Sequence, residues 1–128
     1  MMIETPLPIV ACSVCGNIVV GMQWYRLTQA ERDAVLAHEQ AHQTLKHTRA
    51  RIWWLLTGKW RGIPDRCRMQ ELDADQVATL AGHGRGLLRL LSRAHNTPAS
   101  DFHPSHQERI DNIRKWMRYG NYESADAD

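Results

Sequence analysis

Apolar and polar positions along the chain predict one short β region followed by a run of helices. Residues 7–22, LPIVACSVCGNIVVGM, contain two β-branched apolar runs separated by CSVCGN. Apolar runs around a turn that contains Gly16 and Asn17 are typical of a hairpin or a pair of extended segments. The rest of the chain carries helix start and stop signals. The pattern therefore predicts a mainly α protein with a small β-hairpin or sheet, an α+β fold.

Two capping boxes set the starts of the first and last predicted helices. In each box a hydroxyl residue, Thr28 or Ser105, is followed three positions later by a glutamate. Glycines and prolines in the intervening loops set the other helix ends. The four predicted helices cover residues 28–57, 65–82, 85–95 and 106–120. We expect residues 1–120 to form a single domain and residues 121–128 to be a disordered tail.

The composition narrows the class of protein. A chain of 128 residues with 43% hydrophobic residues can bury a core as one domain without cross-links. A net charge of +2 does not suit a polybasic protein, so no nucleic-acid partner is expected. Three cysteines, an odd number, fit a reducing compartment. With no signal-peptide pattern and no apolar run of roughly 20 residues, the chain is expected to be soluble and cytoplasmic.

The segment HEQAH, residues 38–42, carries the strongest chemical signal. Residues four apart lie on the same face of a helix, so His38 and His42 can direct both imidazoles at one metal ion. Glu39 is rotated by about 100° from His38, which makes it a poor ligand but places it beside the ion. A carboxylate in that position can take the proton of a water molecule that zinc has acidified. The spacing predicts a zinc site with two histidine ligands and one base.

A third ligand is offered by ELDADQVA, residues 71–78, on the second predicted helix. Glu71 can complete a shell of two histidines and one glutamate, with the fourth position left to water. Asp75, one turn later on the same face, can accept the outer ring N–H of a ligating histidine and fix its orientation. The alternative is a solvated acidic helix face. Because the segment follows HExxH in so short a chain, we favour the metal interpretation, with one Zn²⁺ per chain.

Three blocks of this sequence resemble, in order, the motifs of the HtpX and CAAX prenyl endopeptidase group of gluzincin zinc metallopeptidases. The blocks are VLAHEQAHQTLKH, ELDADQVA and HPSHQERI, which begin at residues 35, 71 and 103. The resemblance extends from about residue 11 to residue 119. It implies a zincin-like metallopeptidase core built from an active-site helix and a glutamate helix. Many members carry transmembrane helices and none is predicted here, so the chain is expected to be a minimal, soluble member.

By this resemblance the protein would be a zinc-dependent endopeptidase acting on a peptide or protein substrate. His38, His42 and Glu71 would bind zinc, and Glu39 would activate the water that attacks the peptide bond. Two alternatives stay open. One is an ImmA-like regulatory metallopeptidase, against which the HPSHQERI block argues. The other is a non-enzymatic zinc-binding interaction module, which would have no need of the base.

The resemblance also implies roles outside the metal ligands. His103 matches a histidine thought to stabilise the oxyanion of the tetrahedral intermediate, and Arg109 matches an arginine that braces the acidic groups, Asp75 or Glu71. In gluzincins an extended substrate pairs with the strand that borders the cleft. Substrate binding would then fall to Asn17, Ile18, Val19 and Val20. The residues alone also permit simpler interpretations: a capping histidine, a local helix charge and a strand that covers the core.

The cysteines have a weaker functional interpretation. Cys12 and Cys15 form a CxxC pair, but Cys67 is the only other thiol in the chain. A structural zinc site needs four ligands, and a redox pair usually opens a helix. Ordinary turn and core positions are therefore favoured over a second metal site.

A basic, tryptophan-rich region follows the HExxH segment. Residues 46–68 contain seven lysines and arginines and one acidic residue, together with Trp53, Trp54 and Trp60. Tryptophans filling the core beside solvated charges are favoured, and peripheral membrane contact or an anionic partner is the alternative. The remaining histidines have no predicted partner: His47, His83, His95 and His106.

Overall fold

The computed structural model describes residues 2–4, 11–14, 17–58, 62–93 and 103–127. Within these ranges three short strands precede five helices, and the predicted mainly helical architecture is confirmed. The strands are β1 (Met2–Glu4), β2 (Ala11–Val14) and β3 (Asn17–Val20). The helices are α1 (Gln29–Thr44), α2 (His47–Leu56), α3 (Ile63–Ala78), α4 (Gly84–Arg93) and α5 (His106–Ala127). None of these helices is long and apolar enough to cross a membrane.

The strands form a small sheet in the order β1-β3-β2. β2 and β3 pair antiparallel, whereas β1 runs parallel to β3. β3 is therefore the central strand, with a neighbour on each side. An extended peptide can add to a strand only at a free sheet edge. The structure thus corrects the prediction that Asn17, Ile18, Val19 and Val20 bind substrate, because both edges belong to β1 and β2.

Both predicted capping boxes start helices. The Thr28 hydroxyl accepts a hydrogen bond from the Glu31 backbone N–H at 3.3 Å and so caps α1. The Ser105 hydroxyl accepts from the Glu108 backbone N–H at 3.0 Å at the start of α5. These contacts satisfy amide groups that a helix N-terminus leaves without intrahelical partners. The Glu31 side chain is itself buried and pairs with Arg93, which ties the start of α1 to the end of α4.

The first predicted helix is wrong in its length, because the chain divides it into α1 and α2. α1 ends at Thr44, and Lys46 adopts the left-handed conformation with a φ of 57°. α2 then begins at His47. Left-handed backbone is uncommon for a residue that has a Cβ atom, and no glycine or proline marks the position in the sequence. No local signal for this break exists in the sequence.

The connection between α3 and α4 lies where the sequence predicts a helix stop. A π-helical segment, Thr79–His83, joins the two helices, and Gly82 within it has a φ of 101°. Glycine adopts this conformation at little cost, so the chain can turn here without strain. At the other end of the chain, α5 continues through residues 121–127. A disordered tail is predicted there, but glutamate and alanine in this stretch favour helix.

α1 lies between two buried apolar clusters and so occupies the centre of the fold. The first cluster consists of Ala34, Ala78, Leu87, Leu91 and Ile113. The second consists of Ile18, Val20, Trp24 and Val35. The adjacent residues Ala34 and Val35 contact different clusters, because neighbours on a helix point about 100° apart. The sheet side and the helical side of the core therefore both hold α1 in place.

Gly86 lies where α4 passes close to α1. A Cβ atom at this position would lie 2.5 Å from the backbone oxygen of Ala30 and 2.8 Å from the Cβ of Ala34. We expect Gly86→Ala to lower the free energy of unfolding by about 1–3 kcal/mol, because neither neighbour is a flexible side-chain end. Urea unfolding would measure the change.

Gly120 on α5 provides the matched control. A Cβ atom there would have its nearest neighbour, Leu80 Cδ2, at an ordinary distance of 3.7 Å. Gly120→Ala should therefore raise stability by about 0.5–1 kcal/mol through helix propensity alone. Similar effects of the two substitutions would contradict the close approach of α4 and α1.

Candidate metal centre

His38 and His42 on α1 face Glu71 on α3, and these three side chains form a group that could hold a metal ion. The two histidine Nε2 atoms are 3.1 Å apart. Glu71 lies 3.2 Å from His38 Nε2 through Oε2 and 3.3 Å from His42 Nε2 through Oε1. Both histidines are buried and Glu71 is half-buried. The structure therefore brings the three predicted ligands together.

The spacing of the donor atoms fits tetrahedral coordination. With metal–ligand distances of about 2.0–2.1 Å, neighbouring ligand atoms of a tetrahedron are about 3.3 Å apart. The three observed separations of 3.1, 3.2 and 3.3 Å are close to this value. Two imidazole nitrogens and a carboxylate also suit a divalent ion that accepts mixed nitrogen and oxygen ligands. The residues present thus fit a metal ion in both geometry and chemistry.

Asp75 holds His38 from the side opposite to the metal group. Its Oδ1 accepts a hydrogen bond from His38 Nδ1 at 2.8 Å, and its side chain is fully buried. With the ring proton on Nδ1, the lone pair of Nε2 points toward Glu71. A carboxylate in this position fixes the histidine tautomer and raises the basicity of the ligating nitrogen. Asp75 therefore occupies the supporting position that the sequence predicts.

Arg109 of α5 binds the Asp75 carboxylate with two nitrogen atoms. Its Nε donates to Oδ2 at 2.7 Å and its Nη2 donates to Oδ1 at 2.8 Å. Burial disfavours the charged form of both groups, but their pairing outweighs it. The pKa of Asp75 is consequently lowered and the pKa of Arg109 is raised. The predicted brace is present, and it contacts Asp75 rather than Glu71.

The carboxylates around His38 make this position attractive to a cation. Burial lowers the pKa of His38, but hydrogen bonds to Asp75 and Glu71 outweigh burial and raise it to about 9. Burial raises the pKa of Glu71, but hydrogen bonds from His38 and His42 hold it well below its usual range. At pH 7 the metal-free protein therefore has ionised carboxylates and a protonated His38. A metal ion that binds here replaces that proton.

His47 is a second supporting histidine, and the sequence predicts no partner for it. Its Nδ1 lies 2.7 Å from His42 Nδ1, and the side chain is buried. Burial and the positive charges of His42 and Arg51 lower the pKa of His47 to about 4, so its ring is neutral at pH 7. A neutral imidazole can accept at Nδ1, which lets His42 donate its Nδ1–H and keep a lone pair on Nε2. Each ligating histidine thus has a partner on its outer nitrogen.

The break between α1 and α2 brings His47 to the metal group. On an unbroken helix, five residues correspond to a rotation of roughly 500°, which would turn position 47 about 140° away from His42. The left-handed Lys46 redirects the chain, and the two imidazole rings come to lie 5.0 Å apart between centroids. A histidine five positions after HExxH is a signal only once that break is known.

The two predicted catalytic residues lie near the metal group without belonging to it. Glu39 directly follows His38 on α1 and is half-buried. After burial and the pairing with Asp75, the charge of Glu39 also contributes to the pKa of Arg109, which places the carboxylate within electrostatic range of that pair. His103 is exposed and lies just before α5. Their catalytic roles stay predictions.

A cavity of about 290 Å³ borders the metal group. Its lining consists of Arg51, Leu55, Ile63, Cys67 and His103. Arg51 connects the cavity with the ligands, since its Nη2 lies 3.6 Å from Glu71 Oε1 and its Nε donates to Gln70 at 2.7 Å. Cys67 is a buried free thiol, one helical turn before Glu71 on α3. The predicted oxyanion-binding histidine therefore shares this cavity with the neighbourhood of a predicted ligand.

The tryptophan-rich helix α2 is more exposed than the favoured interpretation predicts. Trp53 is 60% exposed and Leu56 is 78% exposed, so this face of α2 is not part of the core. Trp54 is half-buried, with the Arg66 guanidinium 5.1 Å from its ring centroid. The low burial of Trp53 corrects the expectation that these tryptophans fill the core. Membrane contact through this region stays a prediction.

Some predicted features fall outside the described residues. These are Trp60, Cys15 and His95. Cys12 belongs to β2. The interpretation of the CxxC pair therefore stays a prediction.

The chain has no match among protein-family models, curated proteins or solved structures. The resemblance to gluzincin metallopeptidases is therefore carried by the three sequence blocks, and a zincin-like core stays a prediction. The geometry of the His38, His42 and Glu71 group is a separate observation, because it depends on contacts between α1 and α3.

The contact between His47 and His42 can be tested by metal affinity. His47→Leu would leave the His42 Nδ1–H buried without an acceptor, and we expect affinity for a Co²⁺ probe to fall by about 10–100-fold. His47→Asn should retain most of the affinity, because its amide oxygen can take the place of Nδ1. His83→Leu, a change at a half-buried histidine of the π-helical segment, is the control. Unchanged affinity in His47→Leu would show that His42 does not depend on this partner.

Asp75 and Arg109 should act through one another. Asp75→Asn keeps a hydrogen-bond acceptor but loses the charge, so we expect metal affinity to fall by about 10–100-fold, with occupancy restored by excess metal. Arg109→Ala leaves the buried carboxylate underpaired, and Arg109→Lys cannot reproduce the two-nitrogen contact. Titration of Co²⁺ into the single and double variants should show an effect smaller than the sum of the single effects. Simple additivity would mean that the two residues support the site independently.

Proposed function

We propose that this protein is a zinc-dependent endopeptidase in which His38, His42 and Glu71 hold one Zn²⁺ and Glu39 is the general base. The main support is the set of three donor atoms separated by 3.1–3.3 Å, on a helix that also carries a carboxylate next to the first ligand. Zinc bound by such ligands polarises a carbonyl group and lowers the pKa of water to about 7. A site that only stabilises the fold would have no use for the additional carboxylate.

Glu39 would take the proton of the attacking water and pass it to the leaving amine. Its position after His38 sets it about 100° around α1 from that ligand. The carboxylate can thus border the reacting atoms while it stays outside the ligand group. A general base needs to be within hydrogen-bond reach of the proton it removes, directly or through one water molecule.

His103 would stabilise the negative charge that develops on the carbonyl oxygen. Its exposed position at the cavity leaves it accessible to a bound peptide. A hydrogen-bond donor whose acceptor becomes charged only in the transition state raises the turnover rate more than it raises substrate affinity. His103 therefore has a role distinct from that of the ligands.

The supporting contacts would keep the ligands ready for this chemistry. Asp75, held by Arg109, fixes the ring of His38, and His47 fixes the ring of His42. Side chains oriented in advance by packing and hydrogen bonds do not have to reorganise when substrate binds. The arrangement thus supports a catalytic site better than an adaptable metal-binding surface.

Glu39→Gln tests the proposal directly. The amide cannot accept the proton, so hydrolysis of casein peptides should fall by at least about 100-fold, the lower end of general-base contributions. Zinc content and thermal stability should stay at the wild-type values, because Glu39 is not among the ligands. Mass spectrometry of the peptide products and metal analysis would measure the two quantities.

Asp33→Asn is the matched control for this substitution. Asp33 is an exposed carboxylate on the same helix, hydrogen-bonded to Gln29. The variant should retain both zinc and wild-type hydrolysis. If Glu39→Gln hydrolysed peptides as fast as Asp33→Asn does, the alternative of a non-enzymatic zinc-binding module would be favoured.

A further inference from the structure

We propose that the cavity beside Glu71 binds an apolar side chain of the substrate, next to the bond that is cut. The cavity is lined by Arg51, Leu55, Ile63, Cys67 and His103. This inference rests on the proposed function, because it assigns part of the substrate to that active site. It adds a substrate class, peptides with an aliphatic or aromatic residue flanking the scissile bond.

The position of the cavity follows from residues that it shares with the surroundings of the ligands. Cys67 lies one helical turn before Glu71, and Arg51 both lines the cavity and lies 3.6 Å from Glu71 Oε1. His103, the proposed oxyanion donor, lines the cavity as well. Successive residues of an extended peptide are only about 3.3–3.6 Å apart. A carbonyl placed at the metal group would therefore have a neighbouring side chain within reach of the cavity.

The chemistry of the lining selects an apolar occupant. Leu55, Ile63 and Cys67 offer carbon and sulfur surfaces, and Cys67 is 5% exposed. None of the described lining residues carries a carboxylate, so a lysine or arginine side chain would have no ionic partner there. The Arg51 guanidinium is already engaged by Gln70 and Glu71, which leaves little for an acidic side chain. Charged side chains would lose hydration without compensation.

The volume of the cavity is sufficient for one large side chain. A protein cavity of about 150 Å³ can hold a benzene molecule. The observed volume of about 290 Å³ can thus take a leucine or phenylalanine side chain together with part of its backbone. Leu55 is 59% exposed, which places it at the mouth of the cavity, whereas buried Cys67 lies at its base.

Peptide hydroxamates that differ in one side chain provide a binding test. The hydroxamate group chelates zinc, so each compound should bind the zinc-loaded Glu39→Gln protein whether or not the cavity takes part. We expect the leucine compound to bind at least about 10-fold more tightly than the glycine compound, as for hydrophobic pockets in general. Aspartate and lysine compounds should bind no better than glycine. Equal calorimetric affinities for leucine and glycine would overturn the inference.

Two neighbouring leucines give a matched pair of variants. Leu55 and Leu56 are both exposed on α2, but only Leu55 lines the cavity. Leu55→Lys should abolish the preference for leucine over glycine, whereas Leu56→Lys should retain it. Cys67→Phe should also abolish it by filling the base of the cavity. Since Cys67 is buried and that variant has a risk of misfolding, the pair of exposed leucine variants decides, and identical behaviour of the pair would exclude this cavity.

Hydrolysis separates the cavity inference from the proposed function. If wild-type protein cut casein in a Glu39-dependent way, but its cut sites showed no apolar preference that Leu55→Lys removes, the cavity inference would fail and the endopeptidase would stand. If wild-type protein cut no more than Glu39→Gln while the leucine hydroxamate preference persisted, the endopeptidase would fail. The cavity would then stand as a binding site for an apolar group beside a metal ion.

Discussion

The buried carboxylate of Asp75 is the contact on which the rest of the site depends. It lies on α3, accepts a hydrogen bond from His38 of α1, and binds the guanidinium of Arg109 from α5. Three helices therefore meet at one negative charge that has no access to solvent. A buried carboxylate costs several kcal/mol unless its partners satisfy it. Any shift of one helix against the others would expose that cost, so the same contact that orients a ligand also holds the helices in register.

Apolar packing determines where α1 can place its histidines. Ala34 belongs to the cluster on the helical side and Val35 to the cluster on the sheet side. With these two faces committed to the core, the position of His38, one turn beyond Ala34, is set within narrow limits. Interiors packed at this density do not rotate a helix without opening voids. The separations near 3 Å between the three ligand groups follow from rigid packing of α1 and α3 rather than from flexible side chains reaching for each other.

The sequence predicts the features that depend on local spacing. HExxH places His38 and His42 on one face, Glu71 and Asp75 are one turn apart on a second helix, and the hydroxyl caps start α1 and α5 where expected. The role of His47 could not be predicted, because it depends on a left-handed Lys46 that no glycine or proline announces. The central place of β3 was equally hidden, since β1 pairs with it in parallel from the far side of the β2–β3 pair. Local rules fail where a contact is created by a turn or a pairing that is not itself locally encoded.

The network around His38 couples the metal group to protons. His38 has its pKa raised to about 9, so its pairing stabilises the metal-free fold fully below its ordinary pKa of about 6.5 and is lost as pH rises through 9. Glu71 and Asp75 have lowered pKa values, and their contribution is instead lost in acid, as the carboxylates are protonated. A metal ion has the opposite dependence to the His38 proton, because it needs the neutral imidazole. At pH 7, two units below the pKa of His38, competition by the proton weakens metal binding by about 100-fold relative to high pH. As pH falls from neutrality, the protein should therefore release its metal while the carboxylates still hold the helices together.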